Sequence, residues 1–259
     1  MTSADVGHRQ AGGAGGIGGP VYRAVAAELA AIRDRAPGRA PRVLDVGGGS
    51  GAWAVPLATE GCAVSVVDPS PNALAALRRR ARDAGVEELV TAVPGEVERL
   101  AEVTPFGQAD LVLAHGLLEV VDDPHAAVRA LAGATAPGGA VSVLVAGRFA
   151  AVLARTLAGR LTEARTLLAD PDGRFGPDDA LRRRLDVAGL RRALAAAPEL
   201  RLELLQGDGV VKCWAPGTGR EREGGGASAA LGELEELAAA EPALIDVAAR
   251  LHAVARRVG

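Results

Sequence analysis

Residues Arg42 to Gly51 read RVLDVGGGSG, a short apolar run that carries one acid, Asp45, and ends in a cluster of glycines. The run has the length and composition of a buried strand, and the glycines are those of the tight turn that leaves it. Such a turn lets backbone N–H groups approach a ligand closely and delivers the chain to a helix N-terminus. The string fits the loose dinucleotide pattern, with Gly47, Gly49 and Ala52 in the glycine places. Asp45 opposes that reading. A carboxylate at the strand tip repels a pyrophosphate across a low-dielectric gap and welcomes a cation.

Strand and helix patterns alternate on either side of this stretch. A helix is expected from about Val21 to Arg35, with Pro37 and Pro41 bracketing the turn into a strand at Val43–Val46. Helices at Trp53–Gly61, Pro71–Ala84, Val97–Glu102 and Pro124–Ala134 then separate strands at Ala63–Val67, Leu89–Val93, Asp110–Ala114 and Val141–Val145. This rhythm means βαβ units and a mostly parallel sheet with helices on both faces, an α/β, Rossmann-like fold. Ligands on such sheets sit at the carboxyl ends of the strands, beside the switch point. The glycines and the acids singled out here all fall at those ends.

Residues 1–19 are too Gly-rich to pack and are expected to form a flexible tail, with residues 20–259 making one domain. A helical insertion at 147–198 breaks the alternation, with helices at Phe149–Arg160 and Thr162–Ala169. Late strands are expected at Arg201–Gln206 and Val210–Trp214, a flexible loop at Gly217–Gly226, and a helix broken at Pro242 within 228–257. The last piece of that segment reads equally as helix or edge strand.

Asp68 ends the second strand, and its distance from the glycine loop matches the span of about 20 residues at which an acid accepts hydrogen bonds from ribose hydroxyls. The alternative is a helix N-cap, since Pro69, Ser70, Pro71 and Asn72 lead into a helix. Glu96, with Val97 beside it, is placed to meet an adenine amino group, or is a solvated acid favoured by a helix dipole. His115 leaves the fourth strand at the ligand face and is either structural or functional. Gly47, Gly48, Gly49 and Gly51 after Asp45 favour a ligand role for that acid. A ligand with an adenosine and two cationic groups, a sulfonium and an ammonium, is S-adenosylmethionine, the expected methyl donor.

RVLDVGGGSG, VVDPS, GEV, ADLVLAHGLLEVV and APGGAVSVLV, in this order, resemble the motifs of class I S-adenosylmethionine-dependent methyltransferases across roughly Val21 to Val145. The resemblance implies a seven-stranded sheet whose final strand, Arg250–Arg256, is antiparallel. It also implies that Gly47 and Gly48 run under the methionine part of the cofactor, that Asp68 and Pro69 hold the ribose, and that Glu96 and Val97 hold the adenine. His115 would lie beside the reacting methyl group, positioning the acceptor or acting as its base. Within that family, AHGLLEVVDDP, the insertion and the tail LEEL…EP…RLHAVAR are similar to the tRNA carboxymethoxyuridine methyltransferases. That likeness makes Arg23 a partner for the cofactor's carboxylate, a task suited to a bidentate guanidinium. The chain departs from the subfamily after the fifth strand, where VLVAGRF stands in place of aromatic residues that would stack a base.

The acceptor is therefore either a tRNA or a small metabolite. The insertion carries only Phe149 and Phe175 as aromatic residues, which favours the metabolite, whereas the tail and the helical insertion favour the RNA-type family. Arg155, Arg160, Arg165, Arg182, Arg183, Arg184, Arg191 and Arg192 form either a phosphate-tracking surface or a solvated helical face. A third reading is a non-catalytic S-adenosylmethionine-binding subunit. The net charge of −3 supplies no field toward membrane or nucleic acid. Cys62 and Cys213 cannot form a disulfide scaffold or a metal site and are expected as reduced core thiols. No opening apolar leader and no bilayer-length apolar run are visible, so a cytoplasmic protein is expected. No Ser/His/Asp or Cys/His constellation is apparent. Transfer to a carboxylate, ionised at neutral pH, needs none.

Overall fold

The computed structural model describes residues 19–104, 107–215 and 225–259, with side chains from 229 onward in the last stretch. The chain runs α1 (Pro20–Arg35), β1 (Arg42–Val46), α2 (Ala54–Thr59), β2 (Ala63–Asp68), α3 (Pro71–Asp83), β3 (Val90–Pro94), α4 (Leu100–Val103), β4 (Ala109–His115), α5 (Pro124–Ala134) and β5 (Thr135–Ala146). It continues through α6 (Arg148–Leu157), α7 (Leu161–Ala169), α8 (Val187–Leu194), β6 (Leu200–Asp208), α9 (Gly225–Ala240), α10 (Pro242–Ile245) and β7 (Arg250–Arg257). Among the described residues, seven strands form one sheet in the order β3-β2-β1-β4-β5-β7-β6. The first five are parallel, and β7 lies antiparallel between β5 and β6. The order reverses between β1 and β4, which is where the switch-point rule puts a ligand.

Local chemistry explains the elements. In α1, Val21, Val25, Leu29 and Ile32 recur at helical spacing and are buried against the sheet. Ser70 caps α3, accepting from the Ala73 N–H, and Pro71 opens its first turn. Asp123 caps α5 in the same manner, with Pro124 following. Alternate residues of the central strands enter two apolar layers. Val43, Leu111, Leu113, Leu144 and Val254 pack with α1, α2 and α3, while Val112, Ala114, Val141, Val143 and Ala253 pack with α5 and α8. Burial on both faces is what makes these strands read as near-continuous apolar runs.

Four expectations need correction. The segment Val210–Trp214 is not a strand, because the N–H groups of Val210, Val211 and Lys212 all donate to the buried Glu235 carboxylate on α9 instead of to a ladder. The fifth strand begins at Thr135, not after the Pro-Gly-Gly turn, because the register shift around Ala109 and Leu111 absorbs those residues into an irregular ladder. The last segment is the antiparallel strand that the resemblance implies, but as β7 it sits inside the sheet rather than at its edge. Cys62 is buried as expected, but Cys213 is exposed in the turn that follows β6. The Gly-rich tail lies outside the described residues apart from Gly19, and so does most of the expected loop 217–226, whose last two residues open α9.

Candidate functional site

The carboxyl ends of β1, β2 and β4 converge on the glycine turn. Gly47 donates its N–H to the Val67 carbonyl at 2.8 Å while holding a φ of +74°, a left-handed value that only glycine adopts without strain. Gly48 stands where a Cβ would overlap the Asp45 carboxylate. The loop is thus folded down onto its own acid. Gly49 and Gly51 also take positive φ, at +56° and +79°.

Asp45 is 2% exposed, and its Oδ2 has no hydrogen-bond partner. Burial, and then the neighbouring Asp68 charge, push its pKa up to about 7. Asp68 accepts from the Gly49 N–H through Oδ2 at 2.9 Å and from the Ser70 N–H through Oδ1 at 2.8 Å. The N-cap of the next helix is Ser70, so Asp68 is left to brace the glycine loop. Each of its oxygens keeps lone-pair capacity for a further donor.

Pro69 and Glu96 line one pocket with Pro94, Gly95, Arg99, Glu102 and Val103, of about 410 Å³. Val97 is 4% exposed and belongs to the apolar core, so the pocket's apolar wall comes from Val103 and the two prolines. Arg23, on α1, pairs with Glu236 of α9 at 2.6 Å.

His115 ends β4. Its Nε2 is 2.8 Å from Ser142 Oγ, and its Nδ1 is a buried atom without a partner. Burial, followed by His252 and Arg250, holds its pKa well below the ordinary histidine value. The Trp53 ring meets its edge at 4.8 Å between centroids, and Tyr22 stacks on Trp53 at 6.4 Å. In a chain with one Tyr, two Trp and three Phe, two of the six aromatic rings stand here.

Sequence reasoning missed Trp53, Tyr22 and Glu119. Glu119 is 8% exposed; its Oε1 accepts from the Ala146 N–H at 3.3 Å and its Oε2 has no partner. Burial pushes its pKa up to about 7. The signals were present: a Trp directly after a glycine loop in an aromatic-poor chain, and an acid inside the apolar run Leu117–Val121. Asp45, His115 and Glu119 thus leave three buried polar atoms unpartnered at or just beyond strand ends, an expensive arrangement shared among the described residues by Glu28 Oε2 and Arg148 Nε.

The arginines of the insertion are largely occupied. Arg183 donates to the carbonyls of Leu118, Val121 and Asp122. Arg184 pairs with the buried Asp179, Arg182 with Asp122, and both Arg155 and Arg160 with Glu163. Arg165, Arg191 and Arg192 are exposed. Among the described residues, no helix is long and apolar enough to cross a membrane, and no cluster of three or more His, Cys, Asp or Glu could hold a metal.

A family model described as "Methyltransferase domain" matches residues 21–192. The chain is 41% identical over 98 residues to the ubiquinone biosynthesis O-methyltransferase of Bordetella bronchiseptica, across 38% of this chain and 39% of that protein. It is 37% identical over 123 residues to the protein of the same name from Pectobacterium carotovorum, across 47% of this chain and 50% of that one. The chain therefore spans about two fifths to half the length of these curated relatives. Its fold is similar to that of geranyl diphosphate C-methyltransferase from Streptomyces coelicolor, solved with S-adenosyl-L-homocysteine, with a TM-score of 0.56, 17% identity and coverage of 92% and 80%. A SAM-dependent methyltransferase from Methanosarcina mazei matches with a TM-score of 0.58 and 14% identity, covering 88% of this chain and 97% of that one.

Proposed function

Since the chain belongs to the methyltransferase-domain family, as a class I S-adenosylmethionine-dependent enzyme, we propose that it methylates an oxygen of a small-molecule acceptor. The observation that carries the donor end is Asp45. A buried carboxylate with an unpartnered oxygen, lying beneath glycines that leave no Cβ in the way, fits a ligand that brings positive charge. Bound there, the cofactor supplies an electrophilic methyl on a sulfonium. Gly47, Gly48, Gly49 and Gly51 form the cradle, and Asp68 with Pro69 receives the ribose. Glu96 meets the adenine amino group in the pocket it shares with Pro69, and Val97 supports that wall from the core. Arg23 takes the cofactor's carboxylate in exchange for Glu236.

The oxygen acceptor is supported by the curated relatives, which are named as O-methyltransferases of ubiquinone biosynthesis. A tRNA acceptor has no support among the relatives given above, and the insertion's arginines mostly face their own acids and carbonyls. Tyr22, Trp53 and His115, in ring contact with one another, form the wall that an acceptor meets. These residues align the acceptor and exclude water, which an in-line displacement requires.

Calorimetry with S-adenosylmethionine tests the donor, and label transfer from it to a metabolite extract and to total tRNA tests the acceptor. Labelled small molecules with unlabelled tRNA are expected. Labelled tRNA would overturn the acceptor assignment, and absence of cofactor binding the whole reading.

A further inference from the structure

Four polar side chains cross one face of the sheet in a line. His115 on β4, Ser142 on β5, His252 on β7 and Gln206 on β6 stand on adjacent strands, at positions that the register brings together. His115 Nε2 lies 2.8 Å from Ser142 Oγ, Ser142 Oγ lies 2.8 Å from His252 Nε2, and His252 Nδ1 lies 2.9 Å from Gln206 Nε2. Ser142 and His252 are both 0% exposed. Their neighbours on the same face, Leu113, Leu144, Val254 and Leu204, are apolar. A polar line through such a layer is costly unless every donor finds an acceptor.

That requirement gives the line a direction. The Gln206 amide nitrogen can only donate, so His252 Nδ1 accepts and His252 carries its proton on Nε2. His252 Nε2–H then donates to Ser142 Oγ, and the one hydrogen of Ser142 goes on to His115 Nε2. A neutral His115 is left with its proton on Nδ1, the atom that has no partner in the protein. In the other arrangement, with both imidazoles donating to Ser142, the serine hydrogen has no acceptor within the line. Burial favours the neutral form of both rings.

We propose that His115 is a hydrogen-bond donor, not a base, giving its Nδ1–H to an oxygen of the methyl acceptor, and that Ser142, His252 and Gln206 are positioning residues that fix this tautomer from the three neighbouring strands. The inference rests on the oxygen-acceptor reading above and sharpens it. A donor selects an acceptor oxygen that carries negative charge, a carboxylate or a phenolate. Such an oxygen has no proton to lose, so its methylation requires no base. Ser142, flanked by two imidazoles, resembles a nucleophile only in its neighbours; it is buried and serves as the link between them.

Imidazole nitrogen NMR on the full-length protein reads the tautomers directly. The expected result is His115 protonated on Nδ1 and His252 on Nε2. The reverse pair of tautomers would overturn the proposal. Gln206→Glu at pH 8 replaces the donor by an acceptor and should move the His252 proton to Nδ1 and the His115 proton to Nε2. Unchanged tautomers in that variant would remove Gln206 from the account. With S-adenosylhomocysteine present, benzoate or catechol at saturation should shift the His115 Nδ1 proton downfield. If neither moves it, the acceptor oxygen is not its partner. The tautomers are read without any turnover, so they stand or fall separately from the transfer assay.

Discussion

Replacing Asp45 by Asn removes the most strongly strained charge at the glycine turn and has a pH signature that follows from its surroundings. The unfolded chain releases the Asp45 proton near its ordinary value of 3.8, whereas the folded protein holds it up to about 7. Between those limits the native state binds more protons, so the wild type loses stability relative to Asp45→Asn as pH rises. At about 1.4 kcal/mol per pKa unit, the ionised carboxylate costs about 4 kcal/mol in full, of which about 3 kcal/mol falls between pH 5 and 8. For a domain of this size, that corresponds to roughly 5–10 °C in melting temperature. Thermal or urea unfolding of both proteins at pH 5 and pH 8 measures it. The Asn variant should gain about 3 kcal/mol over the wild type between the two pH values and bind S-adenosylmethionine roughly tenfold or more weakly, having lost a charge-assisted partner. A stability difference that does not change with pH would refute the electrostatic argument, and unchanged affinity would remove Asp45 from the donor site.

His115→Asn keeps an N–H donor near the place of Nδ1 but cannot act as a base, so methyl transfer to the acceptor found by labelling should stay within about tenfold of wild type. His115→Ala should lose roughly 100-fold; an Asn variant as impaired as the Ala variant would argue for a base. His252, pushed down to about 3 by burial and Arg250, stays neutral in the folded protein while the unfolded chain takes up a proton below its ordinary value of 6.5. Its contribution is full above that value and is lost as pH falls toward 3, so urea midpoints of His252→Gln should drop less on acidification than those of the wild type. Glu236→Gln removes the exposed ion pair that Glu236 makes with Arg23, worth at most about 1 kcal/mol, so calorimetry should show S-adenosylmethionine binding tighter by no more than about fivefold, and a weaker affinity would count against the exchange.

The donor half of the molecule is legible because its signals are local. Asp45, the glycines and Asp68 lie within one βαβ unit, where turn chemistry and strand length read directly from the residues. Pro69 and Glu96 meet in one pocket because adjacent parallel strands end side by side. The acceptor half depends on contacts that no short window holds. Trp53 reaches His115 from across the switch point, and His252 reaches Ser142 from the other end of the chain. Val210–Trp214 has strand composition, but Glu235, over twenty positions away, takes its amides. The likeness to tRNA methyltransferases rests on a motif string, the helical insertion and a tail, and none of these encodes which arginines are already paired.

The place of β7 inside the sheet has a kinetic meaning. Parallel strands β1 to β5 assemble through short crossovers, whereas Ser142 and His252 are separated by 110 positions when they meet. Closing so long a loop is entropically slow, and pairings of this kind lower folding rates. Until β7 docks, β5 presents an open edge, a template for pairing with other chains. The glycine turn can therefore form early in folding, while the line that orients His115 is completed only at the end. Refolding followed by donor binding and by Trp53 fluorescence would then show two phases, the first reporting who gives the methyl group and the second who can receive it.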